Sequence, residues 1–107
     1  GSMARGIMPE LTLLVNHNLG TEEATRRIQE AVFELKRRNT HALSDVQESW
    51  MGSIGSFSCR MMGMSIEGTV DVDPAQVKLT GRFPRAALCF KKKAKHDIAR
   101  KARRLLS

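Results

Sequence analysis

Three kinds of side chain in this 107-residue chain could do chemistry: a histidine near acids, two cysteines, and dense runs of Lys and Arg. His17 is followed by Glu22 and Glu23. A histidine general base needs such a carboxylate to orient it and a nucleophile within reach. No serine supplies the nucleophile: none stands in a Gly-x-Ser-x-Gly elbow, and Ser53 in Gly52-Ser-Ile-Gly55 lacks the spacing. His17 is therefore read as a turn-stabilising residue whose ring nitrogen bonds local backbone. Neither an HExxH motif nor a phosphate-cradling Gly-rich loop occurs. Zinc needs about four Cys/His ligands at characteristic spacing, and Cys59, Cys89, His17, His41 and His96 offer none. No catalytic residue, metal or cofactor is expected. The two cysteines read as small buried hydrophobes in a reducing compartment.

The cations are a stronger signal. Eighteen Lys+Arg against eleven Asp+Glu give a net charge of +7, and the pI is near 10.1. From Arg82 onward there are ten basic residues and one acid, Asp97, so the remaining 81 residues are slightly acidic. Two groups stand out: Lys91-Lys92-Lys93-x-Lys95 and Arg100-Lys101-x-Arg103-Arg104. They admit three readings: a solvated helix face, a phosphate-contacting nucleic-acid surface, or a contact for an anionic lipid or granule surface. Aromatic residues make up 5% of the chain, which gives little to stack on single-stranded bases. No apolar run reaches the ~18–20 residues needed to cross a bilayer, so a cytoplasmic protein is expected, with granule association as a variant.

The period of the apolar residues defines the elements that must carry these groups. Gly1-Ser2 reads as an expression-tag scar, leaving a single domain over 3–107. Residues 10–16 are apolar and partly β-branched and predict a strand, with a turn over 17–20. Thr21 has N-cap chemistry, Glu22 and Glu23 favour the first turn, and Ala24, Ile28, Ala31, Val32 and Leu35 share one helical face to about Arg38. From Leu43 to Gly81 the period falls to two. Runs around Val46–Trp50, Phe57–Met61, Met64–Val72 and Val77–Leu79 are separated by Gly52-Ser53-Ile54-Gly55, Gly63 and Asp73-Pro74. Trp50 shares the apolar phase of Val46 and reads as a core anchor. Four antiparallel strands with one apolar face need a cover, which only the two helices can give.

Pro84 opens the last helix, and Phe83, Ala87, Phe90, Ala94 and Ile98 form its apolar stripe. Beyond Ile98 the stripe breaks, with Lys101 in its centre. Residues 84–106 span roughly 34 Å as a helix, whereas five strands make a sheet about 20–24 Å wide. The helix is expected to overhang the sheet over 100–107, an end on which a second copy could dimerise. Met51, Met61, Met62 and Met64 cluster on one strand-turn-strand unit. They fill gaps in the core, or Trp50, Met61, Met64 and Phe90 line an apolar groove for a small ligand or partner.

The stretch Val15-Asn16-His17-Asn18-Leu19-Gly20-Thr21-Glu22-Glu23-Ala24-Thr25-Arg26-Arg27-Ile28 resembles the opening of the polyhydroxyalkanoic acid system proteins. Its sharpest part is His17-x-Leu19-Gly20 with Glu23-Ala24 and Arg27-Ile28. Trp50 at a strand end, Phe57 opening the next strand and Gly68-Thr-Val-Asp-Val72 in a third extend the similarity. The resemblance implies a role in bacterial polyester storage and brings no catalytic residues with it. The final helix is more basic than the family pattern leads one to expect.

These readings converge on an α+β fold in the order β-α-β-β-β-β-α. One antiparallel-rich sheet carries both helices on one face, similar to a reduced helix-grip fold. The expected function is that of a non-catalytic accessory protein of the polyhydroxyalkanoate system, whose basic helix meets an anionic or granule surface or granule-associated proteins. The alternatives are a non-specific nucleic-acid-binding protein and a small apolar-ligand carrier.

Overall fold

The computed structural model describes residues 10–38, 43–84 and 91–107. Its elements are β1 (Glu10–Asn16), α1 (Gly20–Arg38), β2 (Leu43–Met51), β3 (Ile54–Met61), β4 (Met64–Val72), β5 (Gln76–Arg82) and α2 (Lys91–Leu105). The strands form one antiparallel sheet in the order β1-β5-β4-β3-β2. A four-strand meander thus accounts for β2 to β5, and β1 adds to its free edge beside β5. Leu11, Leu13 and Val15 alternate inward along β1, as Val70 and Val72 do on β4. Ala24 and Ile28 of α1 and Ala99 and Leu106 at the end of α2 close over that same face in one cluster. Both helices therefore sit on one side, and the expected element order and covering are those observed.

Turn chemistry fixes the registers. Met61 faces Met64 directly, so Met62 and Gly63 form a two-residue hairpin loop. Their φ values of 52° and 83° are both left-handed, the geometry of a type I′ turn. A second left-handed residue, Asp45 (φ 53°), marks a bulge between Ser44 and Gln47. The extra residue shifts the side-chain phase by one. It brings both Leu43 and Val46 onto the cavity-lining inner face despite their odd spacing. Arg60 pairs with Asp45 across this bulge at 3.7 Å. Strict alternation from Asp45 onward is legible in sequence, but the bulge is not.

Three expectations require correction. First, α1 begins at Gly20, whose φ of +80° suits glycine; among the described residues the Thr21 hydroxyl makes no hydrogen bond. Second, the C-terminal end of α2 does not overhang. Ala99 and Leu106 are buried, with Ala102 and Leu105 packed against the same cluster, while Ile98, the expected last stripe residue, is 44% exposed. The small side chains of Ala99 and Ala102 let the helix approach the sheet, and Lys101 consequently points away from it. Third, Phe83 belongs to a separate small cluster with Leu11, Met64 and Ile66. The start of the expected helix, with Ala87, Cys89 and Phe90, lies outside the described residues.

Two substitutions test this packing. Leu106→Ala should cost about 2–4 kcal/mol in chemical denaturation, whereas Lys101→Ala should stay within about 0.5 kcal/mol. A swinging end would show no such difference. Met62→Asn should raise stability by about 0.5–1 kcal/mol, because asparagine tolerates the left-handed backbone of a type I′ turn.

Candidate functional site

The residues that resemble a family signature build one joint. His17 is 6% exposed at the end of β1. Its Nδ1 accepts the Leu19 amide at 3.1 Å, and its Nε2 donates to the Asp73 carbonyl at 3.0 Å. Its own amide donates to the Ala75 carbonyl at 2.9 Å. These bonds assign the neutral Nε2–H tautomer and tie the strand-to-helix corner to the β4–β5 turn. With both ring nitrogens committed to backbone, His17 has no lone pair left for proton transfer. It is the turn-stabilising residue its position suggests.

The joint continues into α1. Ala24 and Ile28 bury into the core while Glu23 and Arg27 lie one turn apart on the adjoining flank. Arg27 Nε donates to Glu23 at 2.9 Å, and its Nη1 donates to the carbonyls of Leu105 (3.1 Å) and Ser107 (2.9 Å). A cation thus satisfies otherwise orphan carbonyls where the dipole of α2 is negative. Hydrogen bonds from Arg26 and Arg27 hold the Glu23 carboxyl down at about 2, against an ordinary 4.5. Sequence reading places Arg27 in a motif but gives no hint of its partner 78 residues away.

A second polar link braces the other end of α1. Trp50 lies edge-on to Phe57, with ring centroids 5.6 Å apart. Its Nε1 donates to Glu48 at 2.8 Å, and the other Glu48 oxygen meets Lys36 at 3.1 Å. The indole covers Gly55 so closely that an added Cβ there would come within 2.9 Å of the ring. Trp50 packs against the main core cluster, as a core anchor should.

The cations of α2 form the strongest charged surface. Lys92, Lys93, Lys95, Arg100, Lys101, Arg103 and Arg104 are all exposed; the Lys91 side chain lies outside the described residues. Lys93, Arg100 and Arg104, at i, i+7 and i+11, run along the side opposite Ala102 and Leu106. Among the described residues only Arg100 of these seven has an acidic partner, Asp97 at 3.8 Å. On α1 the situation is reversed: Arg26, Arg27, Lys36 and Arg37 each pair with a glutamate. The positive field of the protein is concentrated on one helix because its own acids neutralise the other.

The expected apolar groove is distributed differently. Trp50 is in the main cluster, Met64 packs on Leu11 and Phe83, Met61 is 40% exposed at the hairpin end, and Phe90 lies outside the described residues. None of the three described residues lines the inner-face cavity of about 250 Å³, which is walled by Leu35, Val46, Phe57, Ile66 and Ile98 among others. Cys59 lies half-buried on this side, and burial pushes its thiol up, away from the reactive thiolate. Among the described residues no group of three His, Cys, Asp or Glu converges as for a metal, and no helix is long and apolar enough to cross a membrane.

The fold and surface define a small α+β protein with a braced sheet and one basic helix whose described cations, Arg100 apart, have no acidic partner among the described residues. The chain belongs to the family of polyhydroxyalkanoic acid system proteins, whose model matches residues 11–106. Comparison with curated proteins and with solved structures gave no match. The match spans the joint, the meander and the basic helix.

The joint sets a pH window. The folded-state value of Glu23 lies below its ordinary one, so its contribution is complete above about pH 4.5 and is lost as pH falls towards 2. Amides of residues 102–106 should lose hydrogen-exchange protection over that window. Arg27→Ala should remove the same protection at neutral pH and cost about 1–3 kcal/mol.

Proposed function

We propose that the protein is a non-catalytic accessory of polyhydroxyalkanoate storage that binds an anionic granule surface through the outer side of α2. The observation that carries this reading is the group of seven exposed cations, of which only Arg100 has an acidic partner among the described residues, on a helix whose opposite side is fixed to the core. A solvated helix of no further role is better served by the intrahelical pairs seen on α1. The helix is held at its end by Arg27, so its cations are presented from an ordered backbone and the cost of contact is confined to ordering their side chains. Commitment of both His17 nitrogens to backbone, together with a protonated Cys59, favours binding over catalysis.

Each cation near an anionic surface contributes about 1 kcal/mol. Replacing Arg100, Lys101, Arg103 and Arg104 by Gln should therefore weaken binding to isolated granules or anionic vesicles by up to about three orders of magnitude. Co-sedimentation at low and moderate salt, with neutral vesicles as comparison, measures this. Equal binding to neutral and anionic vesicles would overturn the reading. Preferential, steeply salt-dependent binding to duplex DNA would transfer the same helix to a nucleic-acid role.

A further inference from the structure

The sheet face turned away from the helices carries an unusual alignment. Thr12, Thr80, Thr69, Ser56 and Ser49 stand directly opposite one another on five successive strands: Thr12 faces Thr80, Thr80 faces Thr69, Thr69 faces Ser56, and Ser56 faces Ser49. Four of them line a hollow of about 410 Å³. All are exposed or half-exposed, and among the described residues none of the five hydroxyls is engaged by another protein group. Strand propensity explains threonine at single outward positions. It does not explain serine at 49 and 56, nor one hydroxyl per strand in register across the whole sheet.

The flanking rows differ from each other. On one side Glu10, Arg82 and Glu67 form a charged row, with Arg82 pairing Glu10 at 3.3 Å. On the other, exposed Leu14, Ile54 and Met51 stand in the row that also holds Lys78 and Asp71. A line of neutral donors therefore runs beside a partly apolar line.

We propose that this face holds an extended chain of a 3-hydroxyacyl polyester lying across the strands, its ester carbonyls accepting from the hydroxyl row. This rests on the granule reading above and names the polymer itself as a second contact. A polyester offers acceptors and no donors, so its complement is a row of uncharged donors, which serine and threonine supply. The spacing agrees as well. A strand advances about 3.3–3.4 Å over three backbone bonds, so a four-bond ester unit extends about 4.5 Å, close to the ~4.8 Å between strands. One ester carbonyl per strand can thus be met along the row, with alkyl groups falling towards Leu14, Ile54 and Met51.

The test uses bare particles of amorphous poly-3-hydroxybutyrate at about 1 M salt, where screening over about 3 Å suppresses contacts through α2. Polypropylene particles, which lack ester groups, are the comparison. The variant Ser56→Ala/Thr69→Val/Thr80→Val keeps side-chain shape and β-branching, and its unfolding midpoint verifies the fold. It should lose binding to the ester polymer by at least about tenfold and retain binding to polypropylene. Unchanged ester binding, or equal loss on both particles, overturns the proposal, as does failure of the wild-type protein to bind the bare polyester. The Arg100/Lys101/Arg103/Arg104→Gln variant should bind the bare polyester as the wild type does. Its loss on anionic vesicles, present or absent, reports separately on α2.

Discussion

The arrangement of the molecule depends on Arg27. One guanidinium, oriented by Glu23 a turn earlier, reaches the last carbonyls of a helix 78 residues further along the chain. Of its two bonds there, the one to Leu105 is partly buried, where a helix-end carbonyl is costly to leave without a donor, and the one to Ser107 is exposed. The guanidinium does two things together. It bonds those groups, and it fastens the end of α2 to α1 beside Leu106, which is buried in the core. Everything α2 presents outward is fixed in rotation by what Ala99, Ala102 and Leu106 present inward.

The same dependence explains why the fold was largely legible and the position of the basic helix was not. Strand alternation and the α1 face are local signals of period 2 and 3.6, visible within ten residues, and they yield the element order and the covered face, although Ile54 and Gly55, read as part of the turn, open β3. The helix stripe drawn through large residues to Ile98 fails because docking here uses alanines, which carry little hydropathy but permit close approach. The bulge at Asp45 and the joint of His17 with Asp73 and Ala75 are likewise contacts between distant segments, with no periodic trace.

For the candidate surface, the sequence locates the charge but not its availability. Counting cations treats Arg26 and Arg104 alike. In the fold, Arg26 is spent on Glu23 and Glu30, whereas Arg104 has no acidic partner among the described residues. The difference arises from where acids fall on each helix: four glutamates recur along α1 at three- and four-residue steps from its cations, and α2 has Asp97 alone. The hydroxyl row is still less visible, since registering five strands requires all three turns of the meander and the pairing of β1 with β5.

The two surfaces lie on opposite sides of the molecule, and this restricts how they could be used. Helix cations project away from the covered face of the sheet, whereas the hydroxyl row belongs to the uncovered face. With a helix layer stacked about 10 Å above the strands, the two cannot both touch one flat surface. A protein using both would stand between a polymer beneath the sheet and an anionic partner above the helix. In that arrangement the core between them has to resist shear. The Arg27 joint ties the two helices to each other, and the Trp50–Glu48–Lys36 link ties α1 to β2, so sliding of the helix layer over the sheet is opposed at that link and by the packing of the core.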